Sequence, residues 1–271
     1  MNLLFAIDDN VVDQLLTTLY SIQENTPKES LSVYVIQNPK LKQTDKINAF
    51  CEKNKIEYHP IIIGDELFKD APTTDRYPAT IYYRLLAQEF LPKDIDRILY
   101  LDVDILVINS LLPLYNLSFD GNLYAAASHS ALTSDVTDPI NKLRLGNYEA
   151  ESYYNSGVLL MNLPLIREQV HAKDIFKYIE DNKLALFLPD QDVLNGLYGH
   201  QFKQVPDEIY NYDARMSTIY QALGAGDWDL DWVIKHTVIL HFCGRDKPWK
   251  PEYRGRYSGL YKHYAYKASK I

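Results

Sequence analysis

Cysteine is nearly missing from this chain, with only Cys51 and Cys243 among 271 residues. That excludes a disulfide framework. It makes a reducing compartment the simpler setting, and neither spacing fits a zinc site. An excess of positive charge is missing as well. Lys and Arg number 28 against 36 Asp and Glu, a net charge of -8. This excludes the basic surface that a general nucleic-acid binder carries. No apolar run approaches the length of a membrane span. Residues 1–7 are too short for a signal peptide and run directly into Asp8 and Asp9. There is no internal repeat, low-complexity tract or linker. The expectation is a soluble, cytoplasmic protein, and 46% hydrophobic residues over this length suffice for a substantial core.

Hydrophobic periodicity predicts strands over 2–7, 31–36, 56–63, 97–101, 123–127, 157–161 and 238–242. It predicts helices over 11–23, 45–54, 79–90, 163–182 and 193–198, with Pro164 tolerated in a first turn. Such alternation belongs to an α/β fold with a mostly parallel sheet. Residues 1–249 read as one catalytic domain and 250–271 as a basic, tyrosine-rich tail. From Trp249 to the end, Lys250, Arg254, Arg256, Lys262, Lys267 and Lys270 face a single acid, Glu252. Tyr253, Tyr257, Tyr261 and Tyr264 fall on one helical stripe. Tyrosines so spaced suit a helix packed on the core, and the cations suit an anionic membrane surface.

The most informative segment is Arg97-Ile98-Leu99-Tyr100-Leu101-Asp102-Val103-Asp104. In extended chain, residues i and i+2 point to the same side, so Asp102 and Asp104 project together from the end of a buried strand. That carboxyl edge is where open α/β sheets bind ligands. Paired carboxylates are hard oxygen ligands for Mg²⁺ or Mn²⁺, and such an ion commonly also holds a substrate phosphate. A pair of solvated carboxylates at a strand-to-loop turn would give the same string.

Further polar segments border the predicted strands. Asp8-Asp9-Asn10 follows the first strand, where it could bond a base or ribose or simply cap a helix. Arg84 lies among apolar residues and needs a partner: Asp8, Asp102 or a phosphate. Tyr154-Asn155-Ser156-Gly157 and Asp190-Gln191-Asp192 offer amides, hydroxyls and carboxylates that suit sugar hydroxyls, and equally suit turns and caps. His241 ends the last strand and could be a third metal ligand, or a satisfied core histidine. After it, Gly244 would permit close backbone approach to a phosphate and Lys247 would supply charge.

Taken in order, F-A-I-D-D-N, Y-Y-R-L, the strand ending in D-V-D, Y-N-S-G-V-L-L-M-N, P-D-Q-D-V-L-N-G and H-F-C-G-R-D-K-P-W resemble glycosyltransferase family 8. These are retaining enzymes of the GT-A fold, a Rossmann-like, mixed, mostly parallel sheet flanked by helices. They include bacterial lipopolysaccharide galactosyltransferases and, more distantly, glycogenin. The resemblance implies that Asp102, Asp104 and His241 hold Mn²⁺, with Mg²⁺ as the alternative, against the diphosphate of a UDP-sugar. It implies that Gly244 and Lys247 hold the diphosphate. Ala6, Asp8 and Asn10 would line the uridine pocket, with Val103 near the ribose. Arg84, Asn155, Asp190 and Gln191 would contact the donor sugar, with Gln191 near the anomeric carbon and Asp192 behind it.

The implied reaction moves a hexose, galactose or glucose, to a glycan, lipid-linked or protein-linked acceptor with retention. An amide at Gln191 is a poor nucleophile. A front-side mechanism is therefore implied, and Asp192 as a nucleophile is the competing idea. Close relatives place an Asp on the sugar after strand 123–127, where this chain has His129. Residues 71–80, with Arg76 and Tyr77, resemble the family's flap over donor and acceptor. Two other readings compete: a metal-dependent phosphohydrolase using D-V-D, and a non-catalytic nucleotide-sugar-binding protein. No nucleic-acid partner is expected, and the tail implies peripheral contact with the inner face of a membrane.

Overall fold

The computed structural model describes residues 1–64, 79–129, 145 and 152–271. Arg76 and Tyr77 of the expected flap lie outside the described residues. The strands are β1 (Asn2–Ala6), β2 (Ser32–Gln37), β3 (Glu57–Ile62), β4 (Arg97–Leu101), β5 (Ile105–Val107), β6 (Tyr124–Ala127), β7 (Val158–Asn162), β8 (Phe202–Val205), β9 (Tyr212–Asp213) and β10 (Ile239–His241). Among the described residues they form a seven-stranded sheet, ordered β3-β2-β1-β4-β7-β6-β8, and a three-stranded sheet, ordered β5-β10-β9. In the large sheet β7 alone runs against its neighbours. This is the mixed, mostly parallel sheet the resemblance implies.

Burial explains the apolar runs. Along β1, Leu3 and Phe5 enter one core and Leu4 the other. Along β4, Leu99 and Leu101 face the first core while Ile98 and Tyr100 face the second. Strands covered on both faces need no polar alternation, so they read as continuous hydrophobic runs. The helix Val12–Asn25 covers one face through Val12, Leu15, Leu16, Leu19 and Ile22, one stripe at helical spacing. The helices Leu163–Gln169, Ala172–Asn182 and Pro189–Tyr198 supply the second core on the other face.

Two predicted helices differ from expectation. The one over 163–182 is broken. Its first part ends at Gln169, Val170 is extended (φ -102°, ψ 111°), and the second starts at Ala172. No Pro or Gly marks the break. Val170 is buried and its carbonyl accepts from Gln88 Nε2 at 3.3 Å, so a tertiary contact takes the carbonyl. The segment Ala79–Glu89 is a 3₁₀ helix with a non-helical residue at Leu86 (φ -123°, ψ 23°), not a regular α-helix.

The small sheet sits beside the carboxyl edge of the large one. Its β9 and β10 share a third core with the helices Ser217–Leu223 and Leu230–His236 and with Tyr253, Tyr257 and Tyr261. Four of the tail's five tyrosines, Tyr253, Tyr257, Tyr261 and Tyr264, pack inward, and Tyr266 is exposed. Phe242 meets Tyr261 edge-on at 5.4 Å, and Tyr264 accepts from Asn25 Nδ2 at 2.9 Å. All six tail cations are exposed. No helix among the described residues is long and apolar enough to cross a membrane.

Candidate active site

The chain switches direction across the large sheet between β1 and β4, whose outer neighbours are β2 and β7. A crevice opens at such a switch point, beyond the carboxyl ends of the strands. Asp102-Val103-Asp104 is the connector between β4 of the large sheet and β5 of the small one. The two carboxylates are therefore in a bend rather than on the strand itself. They converge because the bend is held: Asp102 N donates to Gly157 O at 2.8 Å, and Phe242 N donates to Asp104 O at 2.8 Å. Thr18 Oγ1 reaches the carbonyls of Val103 and Ile105 from the helix Val12–Asn25.

Into this bend β10 brings His241, paired in register with Ile105 on one side and Asp213 on the other. Ligand atoms of Asp102, Asp104 and His241 all lie within 4.8 Å of one another. His241 Nε2 is 3.2 Å from Asp104 Oδ1, and its ring is buried. Gly157 lines the same hollow. A Cβ there would meet Asp102 Oδ2 and His241 Cε1, each at 2.6 Å, so the space exists only because residue 157 is glycine. Two carboxylates and an imidazole in a space kept open this way fit a divalent transition ion such as Mn²⁺. Arg84 Nη2 donates to Asp102 Oδ1 at 2.9 Å and Tyr100 Oη to the same oxygen at 2.8 Å, leaving Oδ2 on the hollow.

Charge in the site is balanced pairwise. Burial opposes ionisation of Asp104, but His241 and Lys247 outweigh it and hold the carboxyl far below its usual range. Lys247 Nζ bonds Asp104 Oδ2 and also the carbonyl of Phe242 at 2.9 Å. Burial likewise opposes the charge on Arg84, and Asp102, Tyr100 and Asp190 restore it. Arg84 thus bridges two carboxylates, with Nε 3.3 Å from Asp190 Oδ2, and stacks over Tyr100. Of its three expected partners it takes Asp102, and it adds Asp190. Asp190 is pushed up by burial and accepts from Ser156 Oγ at 2.9 Å.

The expected donor residues converge on the same crevice from three segments. Gln191 Oε1 accepts from Ser156 N at 3.2 Å and from Asn155 Nδ2 at 3.3 Å. A backbone N–H can only donate, so the carbonyl end of Gln191 faces the 155–156 turn. Asn195 clamps that turn to the helix Pro189–Tyr198 through both backbone groups of Tyr154. Asp192 is not brought into the crevice. It is fully buried, and its oxygens accept from Tyr153 Oη at 2.6 Å, Phe187 N at 2.6 Å and Leu188 N at 3.0 Å. Asp192, the competing candidate for nucleophile, lies behind Gln191 and holds the loop entering the helix.

Ala6 ends β1, and Asp8 caps the turn that follows, accepting from Asn10 N at 2.8 Å and Asn10 Nδ2 at 3.2 Å. Gly244 has φ +87°, follows β10 by three residues and lies against Arg215. His129 turns its Nε2 to the main-chain carbonyl of Asn211 at 2.7 Å, and burial pushes its pKa down. Asn211 and Tyr100 were not singled out from sequence. Tyr100 reads as one more apolar strand residue. The only cue at Asn211 is an amide between two tyrosines.

The chain belongs to glycosyl transferase family 8, whose profile matches residues 2–252. It is a glycosyltransferase of the GT-A fold. It is similar to a lipopolysaccharide 1,2-glucosyltransferase of Escherichia coli, with 27% identity over 252 residues, 92% of this chain and 73% of that protein. A lipopolysaccharide 1,3-galactosyltransferase of Salmonella typhimurium is 25% identical over 92% of this chain and 72% of its own length. The crystal structure of the galactosyltransferase LgtC with donor and acceptor sugar analogs superposes with a TM-score of 0.83. That match has 24% identity and covers 100% of this chain and 97% of that one.

Proposed function

We propose that this protein transfers a hexose, glucose or galactose, from a UDP-sugar to a glycan acceptor with retention, using Mn²⁺. The observation that carries the reading is the convergence of Asp102, Asp104 and His241 around a hollow that only glycine at 157 leaves open. These three residues would hold the ion, which when bound supplies positive charge against the diphosphate of the leaving UDP. Gly244 and Lys247 would bind that diphosphate, with Lys247 stabilising charge as it develops. Ala6, Asp8, Asn10 and Val103 would hold the nucleoside. Arg84, Asn155, Asp190 and Gln191 would hold the sugar.

A covalent route needs a nucleophilic carboxylate at the anomeric carbon. Asp192 is buried with its oxygens engaged by three donors, and Gln191 presents its NH₂ end away from the turn that binds its oxygen. Front-side transfer suits this arrangement. The acceptor hydroxyl bonds to the anomeric carbon as the bond to UDP breaks, and its proton passes to the departing phosphate oxygen. The family match over residues 2–252 and the sugar-transferring relatives do not favour a phosphohydrolase. The named activities of the relatives favour a saccharide on a lipid as acceptor. The exposed cations of the tail would hold the enzyme at the anionic inner face of a membrane.

The test is UDP release from a panel of UDP-sugars in Mn²⁺, with and without EDTA. One sugar should release UDP slowly in metal and not in chelator. Release that EDTA does not touch would refute metal dependence. Phosphate liberated from simple phosphate esters would favour the hydrolase.

A further inference from the structure

We infer that Asn211 is a positioning residue that sets which nitrogen of His241 faces the metal hollow and couples that nitrogen to the donor-sugar residues. The inference rests on the metal reading of Asp102, Asp104 and His241. Asn211 belongs to none of the expected site residues. It is fully buried between the helix Asp207–Tyr210 and β9, and its side chain touches two segments far apart in sequence.

The backbone N–H of Gly157 donates to Asn155 Oδ1 at 3.0 Å, which identifies that atom as the amide oxygen. Asn211 Nδ2 lies 2.9 Å from the same oxygen and therefore donates to it. The other end of the Asn211 amide must then be its oxygen, and Oδ1 lies 2.7 Å from His241 Nδ1. An amide oxygen only accepts, so Nδ1 carries the hydrogen. In a neutral imidazole the lone pair is then on Nε2, the nitrogen 3.2 Å from Asp104 Oδ1. An unambiguous backbone donor thus fixes the tautomer of a candidate metal ligand through two amides. Partners of this kind hold ligating histidines in one orientation, and losing them typically weakens metal binding ten- to a hundredfold.

The same chain runs onward. Asn155 uses its Nδ2 on Gln191 Oε1, so the metal side and the sugar side share one hydrogen-bond line from His241 through Asn211 and Asn155 to Gln191. His129 fixes the near end of this line by donating from Nε2 to the main-chain oxygen of Asn211. This gives His129, where the family resemblance expects a sugar-binding Asp, a structural task in positioning Asn211.

The experiment measures Mn²⁺ affinity by the free-ion EPR signal for wild type, Asn211→Asp, Asn211→Leu and Asp104→Asn, each with its thermal midpoint. Asn211→Asp keeps an acceptor for Nδ1 and loses the donor to Asn155. Asn211→Leu loses both. We expect Asn211→Leu to weaken Mn²⁺ binding at least about tenfold, and Asn211→Asp by no more than about threefold. With UDP-sugar present, Asn211→Asp should raise KM for the donor, since Asn155 and Gln191 lose their anchor. Equal weakening by both variants, or wild-type affinity in folded Asn211→Leu, overturns the inference. If Asp104→Asn loses the ion while Asn211→Leu keeps it, the inference fails and the metal reading stands. A wild type that takes up no Mn²⁺ overturns both. Should Asn211→Leu not fold, ¹⁵N NMR of histidine-labelled wild type in Mg²⁺ decides. A hydrogen on Nδ1 of His241 with none on Nε2 supports the inference, and any other protonation of the ring overturns it.

Discussion

Gly157 shows how one residue controls the site. No positive φ constrains it; the space its missing side chain leaves is what matters. A methyl group there would press on Asp102 Oδ2 and His241 Cε1 at 2.6 Å. Neither can yield cheaply, because Asp102 is pinned by Arg84 and Tyr100 and the His241 ring is buried. Gly157→Ala should therefore lower the thermal midpoint, by the about 1–3 kcal/mol typical of overpacking, and lose on the order of 100-fold in kcat, the usual consequence of displacing reacting groups by about 1 Å. Wild-type kcat in this variant would mean that Asp102 and His241 do not act together. Residue chemistry also explains what sequence could and could not reveal here. Asp102, Asp104 and His241 were legible because metal-ligating side chains end strand-like runs. Asn211 was not, because its partners His241 and Asn155 lie 30 and 56 positions away and only the fold joins them. At Asp192 the sequence leaves two roles open, since a carboxylate beside Gln191 reads the same whether it faces substrate or the loop behind it.

At the level of elements, long apolar runs were the reliable signal. β1, β2, β4 and β7 are covered on both faces, and their sequence records that burial directly. The strands β5, β8 and β9, of three, four and two residues, are too short to carry a period. The break after Gln169 is invisible for a different reason: the carbonyl of Val170 bonds Gln88, 82 residues earlier. The C-terminal helix, Ser258–Ala268, divides its two faces between two tasks. Tyr261 is fully buried against Phe242 and Trp249, so Tyr261→Ala should cost about 3–5 kcal/mol in urea unfolding. Replacing exposed Lys262, Lys267 and Lys270 by Gln should change stability by less than about 0.5 kcal/mol each, yet weaken association with anionic vesicles by about 1 kcal/mol per charge. Undiminished vesicle binding would leave the tail a purely structural element.

Across the whole molecule, the site exists because two sheets meet. The connector between the sheets contributes Asp102 and Asp104, and the small sheet contributes His241. The sugar side is built from the 154–157 turn clamped to the helix Pro189–Tyr198. Neither sheet alone carries a complete constellation, which is why the family's motifs are scattered along nearly the whole chain. Within the crevice the cations are matched by carboxylates, Arg84 by Asp102 and Asp190 and Lys247 by Asp104. The most direct test of this account is the anomalous scattering of crystals grown with MnCl₂ and UDP. One strong manganese peak is expected, bounded by Asp102, Asp104 and His241, with the UDP diphosphate against it. A manganese peak elsewhere, or UDP bound in the crevice with no ion beside these three residues, would contradict it.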